Sequence, residues 1–154
     1  MNTLAARGAD RYARTDLETG VEAASPQRLV IMLYDGAIKS MMQAKAAFAS
    51  GDVSVRGEAL SKAIAIIDEG LSAVLDRDAG GDIAANLGNL YDYVSNRLLY
   101  ANLKGHEASI DEAIKLMTEL RSAWEQLERD TRPAASVQQA PETSRVAALS
   151  YGRA

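Results

Sequence analysis

Cysteine is absent from this chain of 154 residues. Its absence excludes a disulfide framework, thiol chemistry and thiolate ligation of a metal. A single histidine, His106, leaves a transition-metal site without its preferred ligands, so no metal and no cofactor is expected. Only three prolines and one phenylalanine occur, while alanine is abundant, a balance that favours helix. Neither sign of charge dominates. The 17 basic and 21 acidic residues give a net charge of −4 and are interspersed through the body. No basic stripe for nucleic acid is present. Long hydrophobic runs are missing too: the longest, such as Leu29 to Leu33, fall far short of the roughly twenty residues that cross a bilayer. The first fourteen residues hold Arg7, Arg11 and Arg14 but no apolar core of a signal peptide. A cytoplasmic location is therefore the expectation.

The length suits one domain with a sizeable core. Ser25-Pro26 is a strong helix start, because the serine side chain can cap free N–H groups and proline at the first position loses none. Six apolar or aromatic residues then run together from Leu29 to Tyr34. They cover most of the helix circumference, so one side packs inward and another needs a cover. Four helical periods follow. The first carries Val30, Leu33, Ala37, Met41, Ala44 and Phe48 and ends at Ser50-Gly51-Asp52. The second carries Leu60, Ile64, Ile67, Leu71 and Val74. Residues 76–82, with Gly80-Gly81, read as a turn. The third carries Ile83, Leu87, Leu90, Val94, Leu98 and Ala101, and Lys104-Gly105-His106 closes it. Ser109-Ile110-Asp111-Glu112 reads as a capping box opening a fourth helix with Ile114, Met117, Leu120, Trp124 and Leu127.

Short turns force antiparallel neighbours. The expected fold is all-α, an antiparallel up-down-up-down four-helix bundle over residues 21–130. A mobile arm (residues 1–20) precedes it and a disordered tail (131–154) follows.

No active site emerges. His106 lies in a Gly-His-Glu turn, whereas a phosphotransfer bundle needs its histidine exposed in mid-helix and a di-iron bundle needs two Glu-x-x-His pairs. Asp68-Glu69 and Asp111-Glu112 read as solvated surface or helix-end charges. Gly80-Gly81 lacks the lysine and spacing of a phosphate loop. The chain is not expected to be an enzyme. A binding surface has more support. Asp82, Asn86, Asn89, Tyr93, Asn96, Tyr100 and Leu103 recur three or four apart on a second face of the third helix. Asparagine amides donate and accept, and tyrosine offers a flat apolar ring with a polar tip. Such a face suits a guest peptide, or it merely shields the rim of the bundle; residue types leave both readings open. Gly36 beside the apolar run favours a close approach, whereas Gly70 and Gly88 read as tolerated background or helix packing. Met41 and Met42 read as core filler, with Met32 beside Tyr34 the exception. Tyr12, alone in the arginine-rich arm, is either an incidental surface aromatic or a plug for a groove.

Val21-Glu22-Ala23-Ala24-Ser25-Pro26, followed by Leu29-Val30-Ile31-Met32-Leu33-Tyr34-Asp35-Gly36-Ala37, resembles the signature of the flagellar export chaperone FliS family. The likeness extends over roughly residues 10–128. It includes Tyr12, Lys62-Ala63-Ile64 with Ile67, Asn86-Leu87, Leu90-Tyr91, Tyr93, Arg97-Leu98-Leu99, Ala101-Asn102, Leu120-Arg121 and Ala123-Trp124. The resemblance implies a cytoplasmic bundle that binds the C-terminal segment of flagellin, prevents premature polymerisation and keeps it competent for type III export. It also implies the export gate and an anti-sigma factor as further candidate partners. With it, Tyr12 is expected as a gate, Leu33, Tyr34 and Gly36 as a groove floor, and Asn89, Tyr93, Asn96 and Tyr100 as its wall. Tyr91 is expected to be half-buried. The rivals are a histidine phosphotransfer protein and a bundle that self-associates through its first helix.

Overall fold

The computed structural model describes residues 25–131; Tyr12 and both terminal segments lie outside them. Among the described residues four α-helices are present: α1 Pro26–Ser50, α2 Val53–Ile66, α3 Arg77–Lys104 and α4 Glu107–Asp130. A five-residue π-helical turn, Ile67–Leu71, extends α2. Helices α1 and α3 each pack against both α2 and α4. This places α1 and α3 on a diagonal of an up-down-up-down bundle. Ion pairs fix the register: Arg28 meets Glu128 at 2.8 Å and Lys45 meets Asp111 at 2.7 Å. The two contacts stand equally far apart along both chains, as two straight antiparallel helices require. Arg97 on α3 meets Glu112 on α4, and Arg56 on α2 reaches the Asn102 carbonyl on α3.

The helix ends follow local chemistry. Ser25 Oγ accepts from the Arg28 N–H, with Pro26 at the first position. Gly51 ends α1 in the left-handed region at φ 75°, and its N–H returns to the last turn, the usual glycine stop. Asp52 then caps α2 through the Val55 N–H. In the same way Gly105, at φ 65°, ends α3.

Several expectations need correction. The repeat of α2 does not run unbroken to Val74. The Ser72 N–H bonds to the Ile67 carbonyl at 2.8 Å, and this wider turn holds one extra residue. Leu75 rotates inward, whereas Val74 is 48% exposed. The turn expected over 76–82 is partly helical: Asp76 caps α3 through the Ala79 N–H, and Gly81 at φ 54° and ψ −130° kinks the helix. Only glycine accepts that conformation without strain. Finally, Ser109 does not cap α4. The helix begins two residues earlier, and Ser109 lies fully buried with its hydroxyl on His106 Nδ1 at 2.7 Å. Glu112, the other half of the expected box, is turned to Arg97.

The core runs the length of the bundle and includes Ile31, Met41, Leu60, Ile67, Leu71, Leu98, Ile110 and Met117. Across the diagonal Tyr34 meets Tyr91 edge to face, with hydroxyls 2.8 Å apart. Both side chains are fully buried, so Tyr91 is not half-buried as expected. Its ring turns α3 so that Ala84, Gly88, Tyr91, Ser95 and Leu98 face inward. Ile83, expected in the core, is exposed, and Leu87 and Leu90 are half-buried. Gly70 meets Leu33: a Cβ there would stand 3.1 Å from Leu33 Cδ2. Gly70 is therefore a packing contact, one of the two readings open for it.

Candidate functional site

The side chains expected to form one groove fall on two sides of the bundle. Asn89, Tyr93, Asn96 and Tyr100 share the solvent face of α3 and are all exposed. Leu33, Tyr34 and Gly36 belong to the buried side of α1, diagonally across. The spacing within each helix is as the sequence suggests; the meeting of the two helices is not. Tyr34 offers no surface, because its ring completes the core. Gly36 is also buried. Leu33 alone among the three lines an opening, an apolar pocket of about 130 Å³ shared with Pro26, Leu29, Val30 and Val74.

The α3 face is an organised surface. Tyr93 and Tyr100 expose 43% and 42% of their area, and Leu99 and Leu103 beside them are more exposed still. The tyrosines are held from behind. The Tyr93 hydroxyl donates to Glu112 Oε2 at 2.6 Å, and Arg97 Nε donates to Glu112 Oε1 at 2.9 Å. The Arg97 guanidinium lies 5.2 Å over the Tyr100 ring, whose other neighbour is His106 at 5.4 Å, edge to face. Tyr93, Arg97 and Tyr100 are thus linked at helical spacing, with both rings held by their neighbours. Asn89, one turn before Tyr93, and Asn96, between Tyr93 and Tyr100, add amides that donate and accept on the same face.

Arg97, Glu112 and Leu99 belong to this surface, though sequence reasoning gave none of them a role there. Arg97 carried a signal in its spacing, four residues after Tyr93 and three before Tyr100. Glu112 carried none, since its partners arrive from another helix. Glu112 is held below the usual carboxylate range, first by the hydrogen bond from Tyr93 and then by Arg97, with partial desolvation opposing. The same bond raises the Tyr93 hydroxyl. Because the Glu112 shift is downward, its anchoring is complete near neutral pH and is lost as pH falls through the shifted value.

Tyr34 titrates very differently. Burial pushes its hydroxyl up to about 12, while hydrogen bonds with Tyr91 and Trp124 pull it partly back. In the unfolded chain the group ionises near pH ~10. Between those values the unfolded state loses the proton and the folded state keeps it, so stability falls as pH rises. The expected result is a melting temperature that drops above pH ~10, with a shallower drop in Tyr34→Phe. Thermal melts at stepped alkaline pH measure this; equal slopes in the two proteins would count against a buried, protonated Tyr34.

No group of three or more acidic or histidine side chains among the described residues is placed to hold a metal ion. No described helix is long and apolar enough to cross a membrane. His106 sits at the α3–α4 junction and interacts with Ser109 and Tyr100.

Known proteins share this arrangement of sequence. The model of the family described as flagellar protein FliS matches residues 8–131. The flagellar secretion chaperone FliS of Salmonella typhimurium is 47% identical over 122 residues, 79% of this chain and 90% of that protein. The flagellar secretion chaperone FliS of Vibrio cholerae is 40% identical over 116 residues, 75% of this chain and 85% of that protein. The one from Escherichia coli K12 is 37% identical over 122 residues, again 79% and 90% of the two chains. A match over four-fifths of the chain, through all four helices of the bundle, shows that the chain belongs to the FliS family of flagellar proteins.

Proposed function

We propose that this chain is a cytoplasmic secretion chaperone that binds the C-terminal segment of flagellin, one to one and without nucleotide. The bound segment is masked from premature polymerisation and stays competent for flagellar export. The observation that carries the reading is the α3 face, where Tyr93 and Tyr100 are exposed yet anchored, with asparagines at neighbouring turns. A surface of fixed aromatic rings with amide side chains suits an amphipathic segment that arrives disordered. Ordering such a guest has a large entropic cost, so contact over a long path is needed to offset it. The split geometry fits that demand: a client touching both the α3 face and the pocket beside Leu33 has to wrap around the bundle. Residues 21–130 are the chaperone domain in this reading, with the flanks 1–20 and 131–154 outside it and Tyr12 as the gate. The export gate and an anti-sigma factor are further partners it allows.

Seeded polymerisation of monomeric flagellin tests the proposal. Added chain should suppress filament growth in proportion to its amount, with full suppression at one chain per flagellin. Growth at the uninhibited rate in the presence of excess folded chain would refute it.

A further inference from the structure

We infer that His106 is a positioning residue for the α3 face: held by the buried Ser109 hydroxyl, its imidazole sets the ring of Tyr100. Its bearing on binding rests on the proposed function, because Tyr100 matters to a client only where the α3 face receives one. The chain has a single histidine. It occupies the N-cap of α4, yet its side chain makes no cap hydrogen bond. The residues favoured at that position accept from a free N–H of the first turn. This ring is engaged elsewhere.

Local backbone geometry brings it to Tyr100. Gly105 takes the left-handed conformation at φ 65°, and the His106 N–H returns to the Ala101 carbonyl at 3.0 Å. Such a glycine stop folds the chain back along the last turn of the helix. The imidazole meets the Tyr100 ring edge to face, with centroids 5.4 Å apart, inside the range where such pairs attract. The two tyrosines of the face are held differently. Tyr93 is tied through its hydroxyl to Glu112. Tyr100 makes no hydrogen bond among the described residues, so its ring depends on Arg97 and His106. Arg97 is shared with Glu112, to which its Nε donates; the imidazole has no second ring to serve.

Ser109 gives that imidazole its orientation. Its side chain is fully buried, and a buried hydroxyl needs a partner. The described partner is His106 Nδ1 at 2.7 Å. Because a hydroxyl hydrogen rotates to suit, the serine can donate to a bare Nδ1 or accept from a protonated one. His106 itself is exposed, so the bond anchors a surface ring to the core. Both tyrosines are then tethered from the beginning of α4, Tyr93 by Glu112 and Tyr100 by His106. Ser109, which no guest can reach, acts on the guest's surface through one intermediary.

Calorimetric titration of the full chain with the C-terminal segment of flagellin tests this. His106→Ala should weaken binding about fivefold, the scale of one aromatic pair, with the helical melt nearly unchanged. Ser109→Ala should weaken it too, and should add nothing in the His106→Ala background. His106→Phe keeps a ring beside Tyr100 and should recover part of the loss. In a Tyr100→Ala background His106→Ala should have no further effect, since residues acting as one unit are not additive. Undiminished affinity in His106→Ala would overturn the inference, as would a full loss on top of Tyr100→Ala or a large fall in melting temperature. Nuclear magnetic resonance of the unliganded chain gives a readout without client. Nuclear Overhauser contacts between the Tyr100 and His106 rings should be present in the wild type and weaker in Ser109→Ala. Contacts absent from the wild type, or unchanged in Ser109→Ala, would overturn the inference. Contacts that behave as expected in a chain that binds no flagellin would refute the proposed function while upholding the hold of His106 on Tyr100.

Discussion

Tyr93→Ala is expected to weaken flagellin binding by roughly 30-fold, about 2 kcal/mol, the scale of an aromatic anchor buried at an interface. The helical melt should stay nearly where it was. The ring is 43% exposed and its only described bond runs to the exposed rim carboxylate of Glu112, and such surface changes cost little stability. Tyr100→Ala should behave alike. Tyr93→Phe separates ring from hydroxyl: it keeps the apolar face and loses the tether to Glu112, so it should fall between wild type and alanine. Binding titrations and thermal melts on the same preparations give both readouts. A large fall in melting temperature for Tyr93→Ala would make the residue structural and remove it from the client surface.

Tyr34→Ala should show the opposite pattern. Its ring is fully buried against Tyr91, and deleting a large buried aromatic side chain costs about 3–5 kcal/mol, because the cavity left behind cannot fully collapse. For a body of this size the melting temperature should fall by roughly 10–20 °C. Tyr34→Phe keeps the packing and loses the bond between hydroxyls, a change of about 1 kcal/mol. Denaturant unfolding of the three proteins orders them. If alanine were no worse than phenylalanine, Tyr34 would not be the central packing residue that its burial indicates. Together the two tyrosine series separate surface from core on neighbouring sequence motifs that look equally aromatic in the bare sequence.

How much of this was legible beforehand depended on the range of the interaction. Ser25-Pro26, Gly51 and Gly105 act within a few residues, and the helix boundaries they announce are found where expected. The bundle topology follows from short turns and was equally readable. The register beyond Ile67 was not, because a π-helical turn adds one residue without any strong local signal and moves the inward role from Val74 to Leu75. The rotation of α3 was hidden for a related reason. Tyr91 turns inward because Tyr34, 57 positions away, awaits it, while apolar periodicity alone favoured Ile83, Leu87 and Leu90. The candidate site divided along the same line. Asn89, Tyr93, Asn96 and Tyr100 share a face because helical spacing requires it. Whether that face meets Leu33 depends on which helices are diagonal, and no single helix carries that information. The capping box failed through competition: Ser109 had a nearer partner in His106, and Glu112 a stronger one in Arg97.

The most direct test of the central claim is a calorimetric titration of the full chain with the C-terminal segment of flagellin from the same organism, repeated at several temperatures. The expected result is one-to-one binding with a large negative heat-capacity change, the mark of apolar surface buried as the segment folds onto the bundle. No detectable heat at any temperature, from a chain shown to be helical and folded, would contradict it.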